Sequence, residues 1–111
     1  MFEKNMKFPL LLDIYGSLLS DRKLEILDYY YNEDYSLAEI SELTGISRQG
    51  VRDSIKKSEE ELFSLDEKLC LSEKNKRIST AASELRQIAE SEKLDEETKA
   101  KLSAIADSLG V

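Results

Sequence analysis

Three observations on this chain of 111 residues predict an all-α fold. Apolar residues make up 41% of the chain and charged residues 35%. Four glycines and one proline are too few for the turns that sheets and loop-rich folds require. Apolar side chains also recur at steps of three and four along most of the sequence, the period of an amphipathic helix. A chain of this size forms one domain, or one domain with an appendage. The pattern divides it into a motif-bearing domain over residues 1–71 and a C-terminal helical appendage over residues 72–111, which is expected to dock onto the first helices or to dimerise.

The first helix is predicted from Phe8 to Leu19, where Leu11, Leu12, Tyr15, Leu18 and Leu19 fall near helical spacing and Pro9 is tolerable only in a first turn. Ser20 or Asp21 caps the second helix, whose buried stripe is Leu24, Leu27 and Tyr31, and Asn32-Glu33-Asp34 ends it. Successive residues stand about 100° apart on a helix, so Tyr29, Tyr30 and Tyr31 cannot share a face. Tyr30 and Tyr31 flank the stripe, while Tyr29 points away beside Ile26 and Arg22, either exposed or covered by another element.

Ser36 and Glu39 form a capping-box pattern that opens a third helix over Leu37 to about Leu43. Gly45 supplies the positive backbone dihedral of a tight turn, Ile46 plugs the core, and Ser47 caps a fourth helix beginning at Arg48. From there Val51, Ile55, Ser58, Leu62, Leu65 and Leu69 step by threes and fours without glycine or proline, which predicts a long helix with a coiled-coil-like seam. The polar run Ser72 to Arg77 is read as a hinge or break, with an uninterrupted rod through Ser72 as the main alternative. Beyond it, Ile78 to Ala89 and Leu102 to Leu109 read as a helical hairpin turned and capped at Leu94-Asp95.

The stretch Ser36 to Ile55, SLAEISELTGISRQGVRDSI, has the spacing of a helix-turn-helix: Ile40 apolar, Ser41 small at the crossing, Gly45 at the turn, then Ile46, Val51 and Ile55 returning to the core. If Val51 and Ile55 face inward, then Ser47, Arg48, Gln49, Arg52, Asp53, Lys56 and Lys57 lie outward or at the tip of a recognition helix. Arg48 and Arg52 can donate forked pairs, Gln49 can offer an amide to a base edge, and Lys56 and Lys57 suit phosphates. Gly50 costs helix stability and either permits close backbone approach or relieves a packing clash.

The segment LLSDRKLEILDYYYNEDYSLAEISELTGISRQGVRDSIKKSEEELFSLDEKL, Leu18 to Leu69, resembles the YlxM family of small helix-turn-helix proteins of Gram-positive bacteria. More distantly it is similar to sigma-factor region 4, without a wing. The resemblance covers Met1 to about Leu71 and implies a cytoplasmic DNA-binding regulator. Family genes neighbour those of the signal recognition particle protein and its receptor, which implies an accessory or regulatory role in that pathway. Where family members often carry glycine, this chain has Cys70.

Several function classes lose support. Cys70 is the only cysteine and histidine is absent, so no disulfide framework exists and zinc or haem would lack its usual ligands; no metal or cofactor is expected. The missing histidine and the lack of a Gly-rich phosphate loop argue against an enzyme. Glu59 to Glu61 and Glu96-Glu97 read as solvated faces. The longest apolar run, Pro9 to Leu12, is too short to cross a bilayer, and a reducing cytosol is expected.

Charge complicates the DNA reading. Residues 1–71 carry 9 Lys and Arg against 15 Asp and Glu, net -6, and residues 72–111 carry 7 against 8, net -1. Only Arg48 to Lys57 forms a positive island, four basic residues and Asp53, +3. Nonspecific DNA affinity should therefore be weak unless a homodimer doubles the island. The competing expectation is a non-catalytic adaptor that engages signal recognition particle protein or RNA, or RNA polymerase, through the same surface.

Overall fold

The structure, a computed structural model, describes residues 4–110, where all the regular secondary structure is helical and there is no strand. Its helices are α1 (Lys7–Tyr15), α2 (Asp21–Tyr31), α3 (Leu37–Thr44), α4 (Arg48–Leu69), α5 (Leu71–Ala89) and α6 (Glu96–Ser108). The chain divides into two compact units, Met1–Cys70 and Leu71–Val111.

The predicted first helix is shorter than its apolar pattern. α1 ends at Tyr15, a single 3-10 turn spans Gly16–Leu18, and Leu19 is extended. Pro9 sits in the first turn of α1, where its missing N–H removes no helical bond. Ser20 caps α2 by accepting from the Lys23 amide at 3.3 Å. Around this frame Leu11, Leu12, Tyr15, Leu19, Ile26, Leu27, Tyr30, Ile40, Val51, Ile55 and Leu62 form one core. Leu24, Tyr31 and Ile46 pack against it only half-buried.

Ile26 corrects the expected orientation of α2: it is buried and leads one turn later to buried Tyr30, so the inward stripe is centred on Ile26, Leu27 and Tyr30. Tyr29 is covered after all, by the ring of Tyr35 stacked 5.6 Å away. Lys4 lies 4.4 Å over the Tyr30 ring and bonds to Asp34, fixing the chain just after α2.

α4 is the 22-residue backbone of this unit, packing against α1, α2 and α3. Its seam holds as far as Leu62, with Leu65 half-buried and Leu69 exposed. Ser58 is fully buried in that seam because its hydroxyl donates to the Ser54 carbonyl at 2.7 Å, satisfying itself within the helix. Glu59 and Glu61, expected to be solvated, instead tie α4 to its neighbours, and so does Asp66. The Tyr31 hydroxyl donates to Glu59, Lys23 pairs with Glu61 at 2.9 Å, and the Tyr15 hydroxyl donates to Asp66 at 2.7 Å. Of the three consecutive glutamates, Glu60 is the one that stands fully exposed.

The break after α4 falls at Cys70, not in Ser72 to Arg77. Cys70 takes the left-handed conformation, φ 54°, and its amide closes on the Asp66 carbonyl at 2.8 Å. The polar run contains no helix breaker, and the Glu73–Arg77 pair at 3.1 Å supports it as helix. In the second unit α6 folds back along α5, with Ala82, Ala89 and Ala106 buried between them. Asp95 caps α6 by accepting from the Thr98 amide at 2.7 Å. Hydrogen bonds from the Thr98 side chain and then from its amide favour the charged carboxylate and hold its pKa below the usual value.

Candidate nucleic-acid interface

The site is built by hydrogen bonds local to the turn. The Ser36 hydroxyl accepts from the Glu39 amide at 3.1 Å while the Glu39 carboxylate accepts from the Ser36 amide at 3.2 Å, so the α3 capping box is closed in both directions. Gly45 takes φ 74°, a value that any Cβ would strain, and its amide bonds to the Ser41 carbonyl. The Ser41 hydroxyl donates to the Ile46 carbonyl at 2.5 Å, and Thr44 accepts from the Ile46 amide at 3.3 Å. Two side chains, Ser41 and Thr44, thus fix the entry of α4.

Gly50 resolves between its two expected uses. A Cβ there would stand 2.7 Å from Cγ2 of Ile46 and 3.1 Å from Oγ of Ser47, so glycine is needed for the first turn of α4 to pack on the turn residue. Of the candidate residues, Ser47 is the α4 cap and accepts from the Gly50 amide at 3.0 Å. That hydroxyl oxygen already serves the fold. Arg48, Gln49, Asp53, Lys56 and Lys57 are exposed, and Arg52 is half-buried. Helical geometry puts Gln49, Asp53 and Lys56 on one outward stripe, Arg48 and Arg52 on one flank and Lys57 on the other.

One feature of this face was not drawn from the sequence, although its i,i+4 spacing could have suggested it. Gln49 Nε2 donates to Asp53 Oδ1 at 2.9 Å, so the amide donor is held by a carboxylate in the middle of the cationic surface. The pair can present the Gln49 carbonyl and the Asp53 carboxylate as acceptors between flanking cations. Glu60 follows Lys56 one turn on, and the outward face becomes acidic there. The cationic part therefore spans about ten residues, roughly 15 Å of helix. On α3 an open hollow of about 310 Å³ is lined by Tyr35, Glu39, Glu42 and Leu43. Its two carboxylates oppose phosphate, and no sequence signal had set Leu43 apart as exposed.

A sequence model of the family described as "UPF0122: Putative helix-turn-helix protein, YlxM / p13 like" matches residues 2–105. The chain belongs to this family. Among UPF0122 relatives, a UPF0122 protein of Clostridium perfringens (strain SM101 / Type A) is 40% identical over 98 residues, covering 87% of this chain and 88% of the relative. One from Thermoanaerobacter sp. (strain X514) is 52% identical over 69 residues, 62% of this chain and 59% of its own. One from Clostridium kluyveri (strain ATCC 8527 / DSM 555 / NBRC 12016 / NCIMB 10680 / K1) is 47% identical over 76 residues, 68% of each chain. The UPF0122 description is that of a helix-turn-helix protein and not of an enzyme family. Among the described residues no helix is long and apolar enough to cross a membrane.

Proposed function

We propose that the protein is a DNA-binding regulator that sets the first three turns of α4 into a groove of duplex DNA. The observation that supports this reading is the placement of Arg48, Arg52, Lys56 and Lys57 on those turns, directly after a locked turn at Gly45 and Ile46, in a unit that is otherwise acidic. Arg48 also stands at the N-terminus of α4, where the helix dipole adds to its attraction for phosphate. Arg48 and Arg52 would hold phosphates or guanine edges, Lys56 and Lys57 the backbone, and Gln49 with Asp53 the base edges.

The net charge of -6 on residues 1–71 supports a second reading. In it the protein is a non-catalytic adaptor, and this face meets signal recognition particle protein or RNA, or RNA polymerase. Fluorescence anisotropy with labelled duplex, run beside signal recognition particle RNA across a salt series, separates the two. Three or four phosphate contacts give a log-log salt slope of about -3 per protomer. Arg48→Glu and Lys56→Glu, both on exposed positions, are expected to weaken duplex binding by more than about tenfold each, with the helical circular dichroism unchanged. Absence of duplex binding at low salt, or full binding by both variants, would remove the DNA reading.

A further inference from the structure

In the first three turns of α4 the residue that points most directly away from the core is a carboxylate. At about 100° per residue, with outward set opposite the buried Val51, Ile55, Ser58 and Leu62, Asp53 lies within about 10° of that direction and Gln49 within about 30°. Lys56 and Lys57 stand about 50° to either side, and Arg52 and Arg48 lie farther round on the side of Lys56. The cations are lateral and the acceptors central. A helix laid along a groove turns its flanks to the two phosphate rows and its centre to the base edges, so Asp53 occupies the place where phosphate opposes it least. Gln49 Nε2 donates to Asp53 Oδ1 at 2.9 Å, which fixes a side chain that would otherwise swing in solvent. A carboxylate has a second oxygen with which to accept.

We infer that this pair reads cytosine: the Asp53 carboxylate accepts from the N4 amino group in the major groove, and Gln49 is the positioning residue that holds the carboxylate toward it. The inference rests on the duplex reading of α4 and names the base that reading would select. Only cytosine and adenine carry an amino donor on their major-groove edge, whereas guanine shows O6 and N7 and thymine O4, which leave a carboxylate facing an acceptor. Adenine sets N7 beside its amino group, so a carboxylate oxygen would again meet a lone pair. Cytosine has a C–H there instead. The guanine paired with that cytosine turns O6 and N7 to the same groove, the acceptors that forked arginine donors suit, and Arg48 and Arg52 stand on the adjoining flank. A Gln–Asp pair that only steadied the helix would leave base preference untouched, which separates the two roles.

Selection from a pool of labelled duplexes with a randomised core, followed by anisotropy on the selected duplex and its single-pair variants, tests the assignment. The parent is expected to enrich a C·G pair at one position and to bind about tenfold more weakly when that pair becomes T·A. Asp53→Asn replaces the carboxylate by an amide that matches adenine N6 and N7, so the preferred base at that position should change from cytosine to adenine. Asp53→Ala should lose the preference there and bind unselected duplex several-fold more tightly, since a negative charge leaves the cationic face. Gln49→Ala should keep cytosine with a weaker preference. Both positions are exposed, so all three variants are expected to retain the parent's helical circular dichroism. Duplex binding by the parent with no C·G preference that Asp53→Ala abolishes, or an Asp53→Asn protein that keeps the parent's preference, overturns the cytosine assignment and leaves the duplex reading standing. No binding of any duplex at low salt overturns both.

Discussion

Glu59 shows how a residue that looks solvated can be held by the fold. Burial raises its pKa above the ordinary value of 4.5, and the Tyr31 hydroxyl that donates to it offsets only part of that shift. The same contact and burial push the Tyr31 phenol well above its usual range. A carboxylate whose folded pKa is raised is favoured in its neutral form, so Glu59 weakens the fold at neutral pH and does so less as pH falls toward 4.5. Glu59→Gln keeps an acceptor for Tyr31 without the charge. It is expected to stabilise the protein at pH 7 by less than about 1 kcal/mol, since the group is partly in water, with the gain vanishing below about pH 4.5 in urea titrations. Tyr31→Phe leaves the carboxylate without its donor and is expected to cost about 1–3 kcal/mol. Gly50→Ala sets helix propensity, worth about 1 kcal/mol in its favour, against a Cβ that meets a branched methyl at 2.7 Å. The clash wins because Cγ2 of Ile46 cannot swing clear without moving the turn, and a lowered melting temperature is the expected result.

At the scale of elements, Cys70 decides where α4 stops. A non-glycine residue in the left-handed region costs roughly 1–2 kcal/mol, and glycine at a helix C-terminus avoids that cost. Cys70→Gly is therefore expected to raise stability by about 1 kcal/mol in thermal unfolding, while Cys70→Ala is expected to give no gain. The position also marks the limit of what the sequence makes legible. The Ser36 and Ser47 caps, the Gly45 turn and the start of α4 are readable because their hydrogen bonds join residues within a few positions of each other. Cys70 carries no such local signal, so the sequence points instead to a break in the polar run beyond it. The sequence does not single out Ile26, because one stripe through Leu24 and Tyr31 fits α2 as well as the true one. The Glu59, Glu61 and Asp66 bonds join residues 28, 38 and 51 positions apart, which no periodicity reports. For the candidate site the sequence placed all seven residues near one face of α4, but Arg52 sits toward the core boundary and Gln49 is engaged by Asp53.

For the whole molecule the governing quantity is how charge is distributed, because the unit that carries the cationic turns is itself net negative. At physiological salt, exposed charges beyond about 8 Å are largely screened, so distant carboxylates oppose phosphate weakly and the nearest ones set the limit. Glu60 is that neighbour, exposed one helical turn past Lys56 on the same outward stripe. If α4 docks on a duplex, Glu60→Lys converts the first repulsive position beyond the island into a further phosphate contact. Affinity at low salt should then rise several-fold, and the log-log salt slope should steepen by about 1. The same substitution should leave the stability within about 0.5 kcal/mol of the parent's, because Glu60 is free of the Tyr31 and Lys23 contacts that occupy its neighbours. Anisotropy titrations of parent and Glu60→Lys at four or more salt concentrations check both statements together. A variant whose affinity rises without a change in slope would have gained by some route other than a phosphate contact, and an unchanged affinity would place the end of the footprint before Glu60.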